Sequence, residues 1–127
     1  MSVILDASAL LALLNDEPGA ARVAAAVAAG ATIGAVNLAE VAAKLSDWGV
    51  PDDERREALG GLGLHVVGFD EDLAYRSSAL RGMTRDRGLS LGDRACVALG
   101  QRLGVPVLTS DRNWQGVAVG VEFEWVR

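Results

Sequence analysis

The sequence predicts an α/β protein, a three-layer α/β/α sandwich around a mostly parallel central sheet, and three observations carry that expectation. Short apolar, partly β-branched runs recur along the chain, separated by stretches of helical periodicity. With 127 residues, half of them apolar, the chain suits one domain over residues 1–127 that buries its core without metal or disulfide staples. Several of the apolar runs end on or near a carboxylate, and in a parallel sheet such positions share the edge where ligands collect.

Val3-Ile4-Leu5 reads as a buried strand, and Ala7 to Leu14 as the helix after it, with Asp6 at the junction. Glu17 to Ala29 is helical, Pro18 suiting a first turn and Gly30 a stop. Thr32 to Val36 is the second strand. Asn37 can cap a helix whose apolar positions Leu38, Val41, Ala42 and Leu45 follow the i, i+3, i+4, i+7 spacing, and Trp48-Gly49-Val50-Pro51 ends it. Asp52 to Leu59 is a short helix, and beyond Gly60-Gly61 the run His65 to Phe69 is a third strand. A helix from Asp70 to about Arg87 follows. Ser90 opens another through Leu103, Pro106 to Thr109 is a fourth strand, and the alternation of Val121 to Val126 suits a last edge strand.

Composition narrows the function. Cys96 is the only cysteine, which excludes an internal disulfide and a cysteine-based zinc site and fits a reducing cytoplasm. No apolar run approaches the roughly 18 residues that span a bilayer, and no basic residue precedes Ala7 to Leu14 as a secretory signal requires. The expectation is a soluble, cytoplasmic protein with no membrane partner. A net charge of −5 argues against nucleic-acid binding through bulk positive charge, so any phosphate contact must be local. The basic residues are eleven arginines and Lys44, a skew that base composition explains as well as phosphate recognition does.

The chemistry-bearing residues are acidic. Asp6 follows the first strand, Glu40 lies one helical turn past the second, Asp111 follows the fourth, and Asp93 in LSLGDRACVALG falls in line with Cys96, Val97 and Gly100. Each has an ordinary alternative. Asp6 can cap the following helix, though Ser8 can do so instead; Asp93 can be the capping-box partner of Ser90; Asp111 can be a turn residue; and Glu40 can pair with Lys44 at i, i+4. If the four converge they cannot all ionise without cations, and hard oxygen ligands with open positions suit Mg²⁺ or Mn²⁺. Such a centre hydrolyses phosphodiesters. Elimination points the same way: the only histidine, His65, lies in an apolar strand where a core or sheet-face position is expected, and neither GxxxxGK[ST] nor GxGxxG is present.

ILDASALLALL, AVNLAEVAAKL and LSLGDRACVALGQRLGVPVLTSDRNW, in that order, resemble the PIN-domain ribonucleases, and most closely toxins of the VapC type from bacterial toxin–antitoxin pairs. The resemblance spans nearly the whole chain. It implies a PIN-like α/β/α domain that cleaves RNA with Mg²⁺ or Mn²⁺, with Asp6, Glu40, Asp93 and Asp111 as the catalytic, metal-binding acids. Asp6 and Asp93 are the foremost ligands. It also implies a cognate antitoxin that blocks the site, and a homodimer. Ser8 and Thr109 are candidate hydrogen-bond supports for the acids, and Asn113 a further one.

Arg76, Arg81, Arg85 and Arg87 form a candidate phosphate-binding strip, set against a solvated helix face; Arg94 and Arg112 adjoin two of the acids and are candidates for RNA contacts or for structural ion pairs. Trp48, Trp114 and Trp125 are expected in the core or at interfaces. A PIN nuclease for RNA maturation or turnover, without a toxic role, is the nearest alternative. A phosphorylated signalling receiver would need a lysine after a late strand, and Lys44 is not so placed; a silent binding module would not need four intact acids.

Overall fold

The computed structural model describes residues 2–127. Five parallel strands, β1 (Ile4–Leu5), β2 (Thr32–Gly34), β3 (His65–Val67), β4 (Val107–Thr109) and β5 (Phe123–Trp125), form one sheet in the order β3-β2-β1-β4-β5. The helices are α1 (Ala7–Leu14), α2 (Ala20–Ala28), α3 (Ala35–Asp47), α4 (Asp52–Gly60), α5 (Glu71–Thr84) and α6 (Leu91–Leu103), with single 3₁₀ turns at Arg85–Arg87 and Arg112–Trp114.

Period-2 alternation in the strands divides the core into two layers. Leu5, Ile33 and Leu108 pack with Leu10, Val23 and Val41 on one face. Ile4 and Val107 pack with Leu73, Leu80, Val97 and Leu99 on the other. Side chains of this size contribute about 1.5–3 kcal/mol each on burial, and β1, covered on both faces, sits at the centre. The chain moves outward from β1 through β2 to β3, then returns to place β4 on the other side of β1. That reversal makes the carboxyl ends of β1 and β4 the switch point of the sheet.

Several boundaries differ from the sequence reading for local reasons. The second helix begins at Ala20, because Gly19 turns the chain at φ +96° and lies so near the Val126 carbonyl that a Cβ there would come within 2.5 Å of it. β2 stops at Gly34, which is the N-cap of α3, so Asn37 stands inside that helix and does not cap it. The helix expected to reach Arg87 ends at Thr84 and tightens into the 3₁₀ turn. His65 is exposed, because β3 is an outer strand. Trp114 is buried and stacks on Phe123, which stacks on Trp125, whereas Trp48 is largely exposed. No helix among the described residues is long and apolar enough to cross a membrane.

Candidate active site

The register of β1 against β4 sets Asp6. Ile4 and Leu5 stand beside Val107 and Leu108, and the Asp6 amide donates to the Leu108 carbonyl at 3.2 Å, so the carboxylate leaves the strand end level with Thr109. It is 5% exposed. One oxygen, Oδ1, accepts from Ser8 Oγ at 2.7 Å and from the Ala9 amide at 2.9 Å; the other, Oδ2, accepts from Thr109 Oγ1. Asp6 is therefore the N-cap of α1, and Ser8 is not. The Ser8 hydroxyl instead receives the Ser110 amide at 3.0 Å, while Thr109 Oγ1 receives the Asp111 amide at 2.9 Å. Both hydroxyls thus tie the end of β1 to the loop after β4. Burial pushes the Asp6 carboxyl above its ordinary value, against these hydrogen bonds, and the charge of Asp93 adds to the rise.

Glu40 and Asp93 meet at the first turn of α6. Gly92 leaves open the space that the Glu40 carboxylate fills: a Cβ there would lie 2.5 Å from Glu40 Cδ. Asn37, 2% exposed, fixes the contact by donating from Nδ2 both to Glu40 Oε1 at 3.0 Å and to the Gly92 carbonyl at 3.1 Å. Glu40 as a residue is exposed, but its carboxylate lies over α6, and burial raises its carboxyl first, with Asp93 and Asp6 adding. No pair with Lys44 forms among the described residues. Asp93 completes a capping box with Ser90: its Oδ2 accepts from the Ser90 amide at 2.9 Å, and its own amide donates to Ser90 Oγ at 3.2 Å.

The charge of Asp93 acts on Asp6, both act on Glu40, and all three act on the buried thiol of Cys96, which burial holds well above its ordinary range. Asp111 stands apart from this triad. It caps the 3₁₀ turn, its Oδ1 accepting from the Asn113 amide at 2.9 Å, and it joins the others through Thr109. Asn113 contributes that amide, and among the described residues its side chain makes no bond to an acid. Arg112 lies 4.6 Å over the Trp125 ring and donates to the Arg127 carbonyl, so it is turned toward β5. Arg94 donates to the Ser77 carbonyl at 3.3 Å and, with Arg81 and Arg85, lines a separate pocket between α5 and α6.

The sequence reading missed Asn37 and Gly92. The available signal was a glycine in the first turn of a helix, where Ala is about 0.5–1 kcal/mol better unless something needs the space. A cleft of about 350 Å³ lies elsewhere: it is mostly apolar, lined by Leu38, Ala42, Leu59, Leu64 and Val66, and holds none of the four acids.

Cation chemistry fits this donor set in one respect and limits it in another. No lysine or arginine among the described residues pairs with Asp6, Glu40, Asp93 or Asp111, so the negative charge of the cluster has no compensation from the chain. Nor do three of its carboxylates close around one point as a ready-made metal cage among the described residues. Mg²⁺ suits such a spread arrangement, since it keeps several waters and takes one or two carboxylates.

A family model of the PIN domain matches residues 3–120. The chain belongs to the PIN domain family. Solved structures agree with that fold. The present PIN domain is similar to a chain of a toxin–antitoxin complex from Klebsiella pneumoniae, with TM-score 0.71 and 22% identity over 94% of each chain. It is similar also to a chain of DNA-bound VapBC from Salmonella typhimurium, with TM-score 0.77 and 15% identity over 100% of this chain and 99% of that one. A third similarity is to VapBC2 from Rickettsia felis bound to a DNA fragment from its promoter, with TM-score 0.75 and 14% identity over 98% of both. At these identities the structures speak for the fold alone. No curated protein matches the sequence significantly.

Proposed function

We propose that this PIN domain is a metal-dependent endoribonuclease and the toxin of a type II, VapBC-type toxin–antitoxin pair, held inactive by a cognate antitoxin. The observation that carries the nuclease reading is the buried, uncompensated carboxylate of Asp6 at the sheet's switch point, with the charge of Asp93 acting on it and both acting on Glu40. The toxin role is supported by the toxin–antitoxin complexes among the similar structures, and the homodimer by family resemblance.

In this reading Asp6 and Asp93 hold Mg²⁺ or Mn²⁺, Glu40 lies beside them, and Asp111 acts directly or through water. A divalent cation bound there would lower the pKa of a bound water and neutralise charge on the leaving oxygen of a phosphodiester. The chain does the positioning. Ser8 and Thr109 fix the Asp6 rotamer by donating to opposite oxygens, Ser90 fixes that of Asp93, and Asn37 holds Glu40 against α6. Each carboxylate keeps acceptor capacity beyond those bonds, because a carboxylate has about four lone-pair sites.

Purified protein freed of antitoxin is expected to cleave RNA with Mg²⁺ or Mn²⁺ and to stop with EDTA, and Asp6→Asn and Asp93→Asn should each abolish cleavage without unfolding. Undiminished cleavage by both variants would sink the mechanism. Sequencing RNA ends from cells expressing the wild type or Asp6→Asn then reports the target. Growth arrest relieved by the protein encoded beside this chain favours the toxin, and cleavage without arrest favours an RNA-processing role.

A further inference from the structure

Six of the arginines, Arg22, Arg55, Arg56, Arg76, Arg102 and Arg127, have a carboxylate partner. Arg81, Arg85, Arg87, Arg94 and Arg112 have none within 4.0 Å among the described residues. They stand unpaired although the chain carries 17 acids and a net charge of −5. Arg112 lies over Trp125, and Arg87 donates to the carbonyls of Asn113 and Gln115. The other three, of which Arg94 also donates to the Ser77 carbonyl, converge. Arg81 from α5, Arg85 from the 3₁₀ turn and Arg94 from α6 line one pocket of about 270 Å³, with Thr84, Gly88 and Leu89 completing it.

Three guanidinium groups in one recess repel one another, and Asp86, between Arg85 and Arg87, pairs with none of them. The floor is rigid, since Thr84 is buried and bonded to the Leu80 carbonyl at 2.7 Å, and Arg94 is anchored on Ser77. Gly88 turns the chain at φ +65° from the pocket into Leu89 and then Ser90, whose capping box holds Asp93. Four Cα steps separate Leu89 from Asp93, which bounds the chain path between pocket and acid at about 15 Å. An acidic centre repels a polyanion, so a substrate with a phosphate backbone needs compensating positive charge close by.

The geometry points to the Arg81–Arg85–Arg94 pocket as a phosphodiester subsite, which holds the backbone of a single-stranded RNA beside the acidic centre without reading its sequence. Arginine suits this role because its planar fork takes two phosphate oxygens at once. The inference rests on the nuclease reading for the identity of the polyanion, and its test is separate from cleavage.

Binding is measured by fluorescence anisotropy in EDTA, with two short labelled RNAs of unrelated sequence and the full chain freed of antitoxin. Arg81→Gln together with Arg85→Gln, both exposed positions, should weaken binding about tenfold for either RNA. The dependence of log K on log salt should flatten by about 0.7 for each phosphate that is no longer neutralised. Arg85→Glu should weaken it further, and Arg56→Gln, at an arginine paired with Asp52, should bind as the wild type does. A circular-dichroism melt within a few degrees of wild type shows that the variants fold. Wild-type affinity and salt slope in both arginine variants would overturn the subsite. So would intact RNA binding with lost affinity for the antitoxin, which would assign the pocket to an acidic protein segment. Arginine-dependent RNA binding with no cleavage in Mn²⁺ would leave the subsite standing and remove the nuclease.

Discussion

Gly92→Ala separates stability from function. An ideal Cβ on Gly92 would lie 2.5 Å from Glu40 Cδ and closer still to both carboxylate oxygens, where non-bonded carbons rest at about 3.5 Å or more. Glu40 must therefore retreat by about 1 Å. It has room to do so, being the far end of a flexible side chain on the exposed side of α3. The backbone raises no objection, because Gly92 is not among the positive-φ glycines, and Ala in a helix is about 0.5–1 kcal/mol better than Gly. The bond from Asn37 to the Gly92 carbonyl involves no side chain of residue 92 and survives. The metal-free melting temperature is thus expected to stay level or to rise by about 3 °C. A 1 Å misplacement of a catalytic group costs on the order of 100-fold in rate. Initial rates of Mn²⁺-dependent RNA cleavage should fall by about that factor in the variant with the higher melting temperature. Cleavage within threefold of wild type would refute the role given to Glu40, and a melting temperature lowered by 5 °C or so would refute the claim that only a side chain has to move.

Asp6→Asn removes a buried charge, so the metal-free variant should be more stable than wild type at neutral pH. Because burial raises the native carboxyl above the ordinary 3.8, the stabilising contribution of its protonated form is complete below 3.8 and lost as pH rises through the native value. The variant's advantage in denaturant midpoint should therefore shrink on acidification, and an advantage constant across pH would contradict the burial argument. Mn²⁺ at a hundred times its Kd should stabilise the wild type by about 2.7 kcal/mol and the variant by far less, as thermal melts with and without the ion will report. Asn37→Leu removes an amide whose buried Oδ1 has no partner, an arrangement that costs about 1–3 kcal/mol, while Gly92 keeps its place in the helical ladder. Stability should change by under about 1 kcal/mol while Mn²⁺ affinity by calorimetry falls about tenfold; a large loss of stability with unchanged affinity would make Asn37 structural only.

The order of strands and helices was legible because hydrophobic period and turn chemistry are local, and the last edge strand was found at Phe123–Trp125 by the same alternation. Strand order was not, and that is why a core position stood beside a sheet-face one for His65: an apolar run does not say whether its strand lies at the centre or the edge. Asn37 misled for a related reason. Asn is a strong N-cap and Gly34 a weaker one, so local preference favoured the wrong residue; the demand on Asn37 comes from Gly92, 55 residues later. The arginines divide similarly. Adjacency in sequence gave Arg94 and Arg112 equal standing, yet one lines a pocket and the other is turned onto an aromatic ring.

The sequence posed Asp6 and Asp93 as either helix caps or functional acids, and the two roles do not exclude each other. Both are caps. A cap uses one part of a carboxylate's acceptor capacity and, in doing so, fixes its rotamer. Asp93 gives Oδ2 to the Ser90 amide, and its Oδ1 accepts no hydrogen bond among the described residues. Asp6 is held harder, by donors on both oxygens, and is buried where an ionised group is costly. A cap needed only for helix stability is worth about 1 kcal/mol and does not require a buried charge, since Ser or Thr at the same position would supply the oxygen. The capping bonds explain where these carboxylates point. They leave the charge itself to be explained, and both charges act on Glu40.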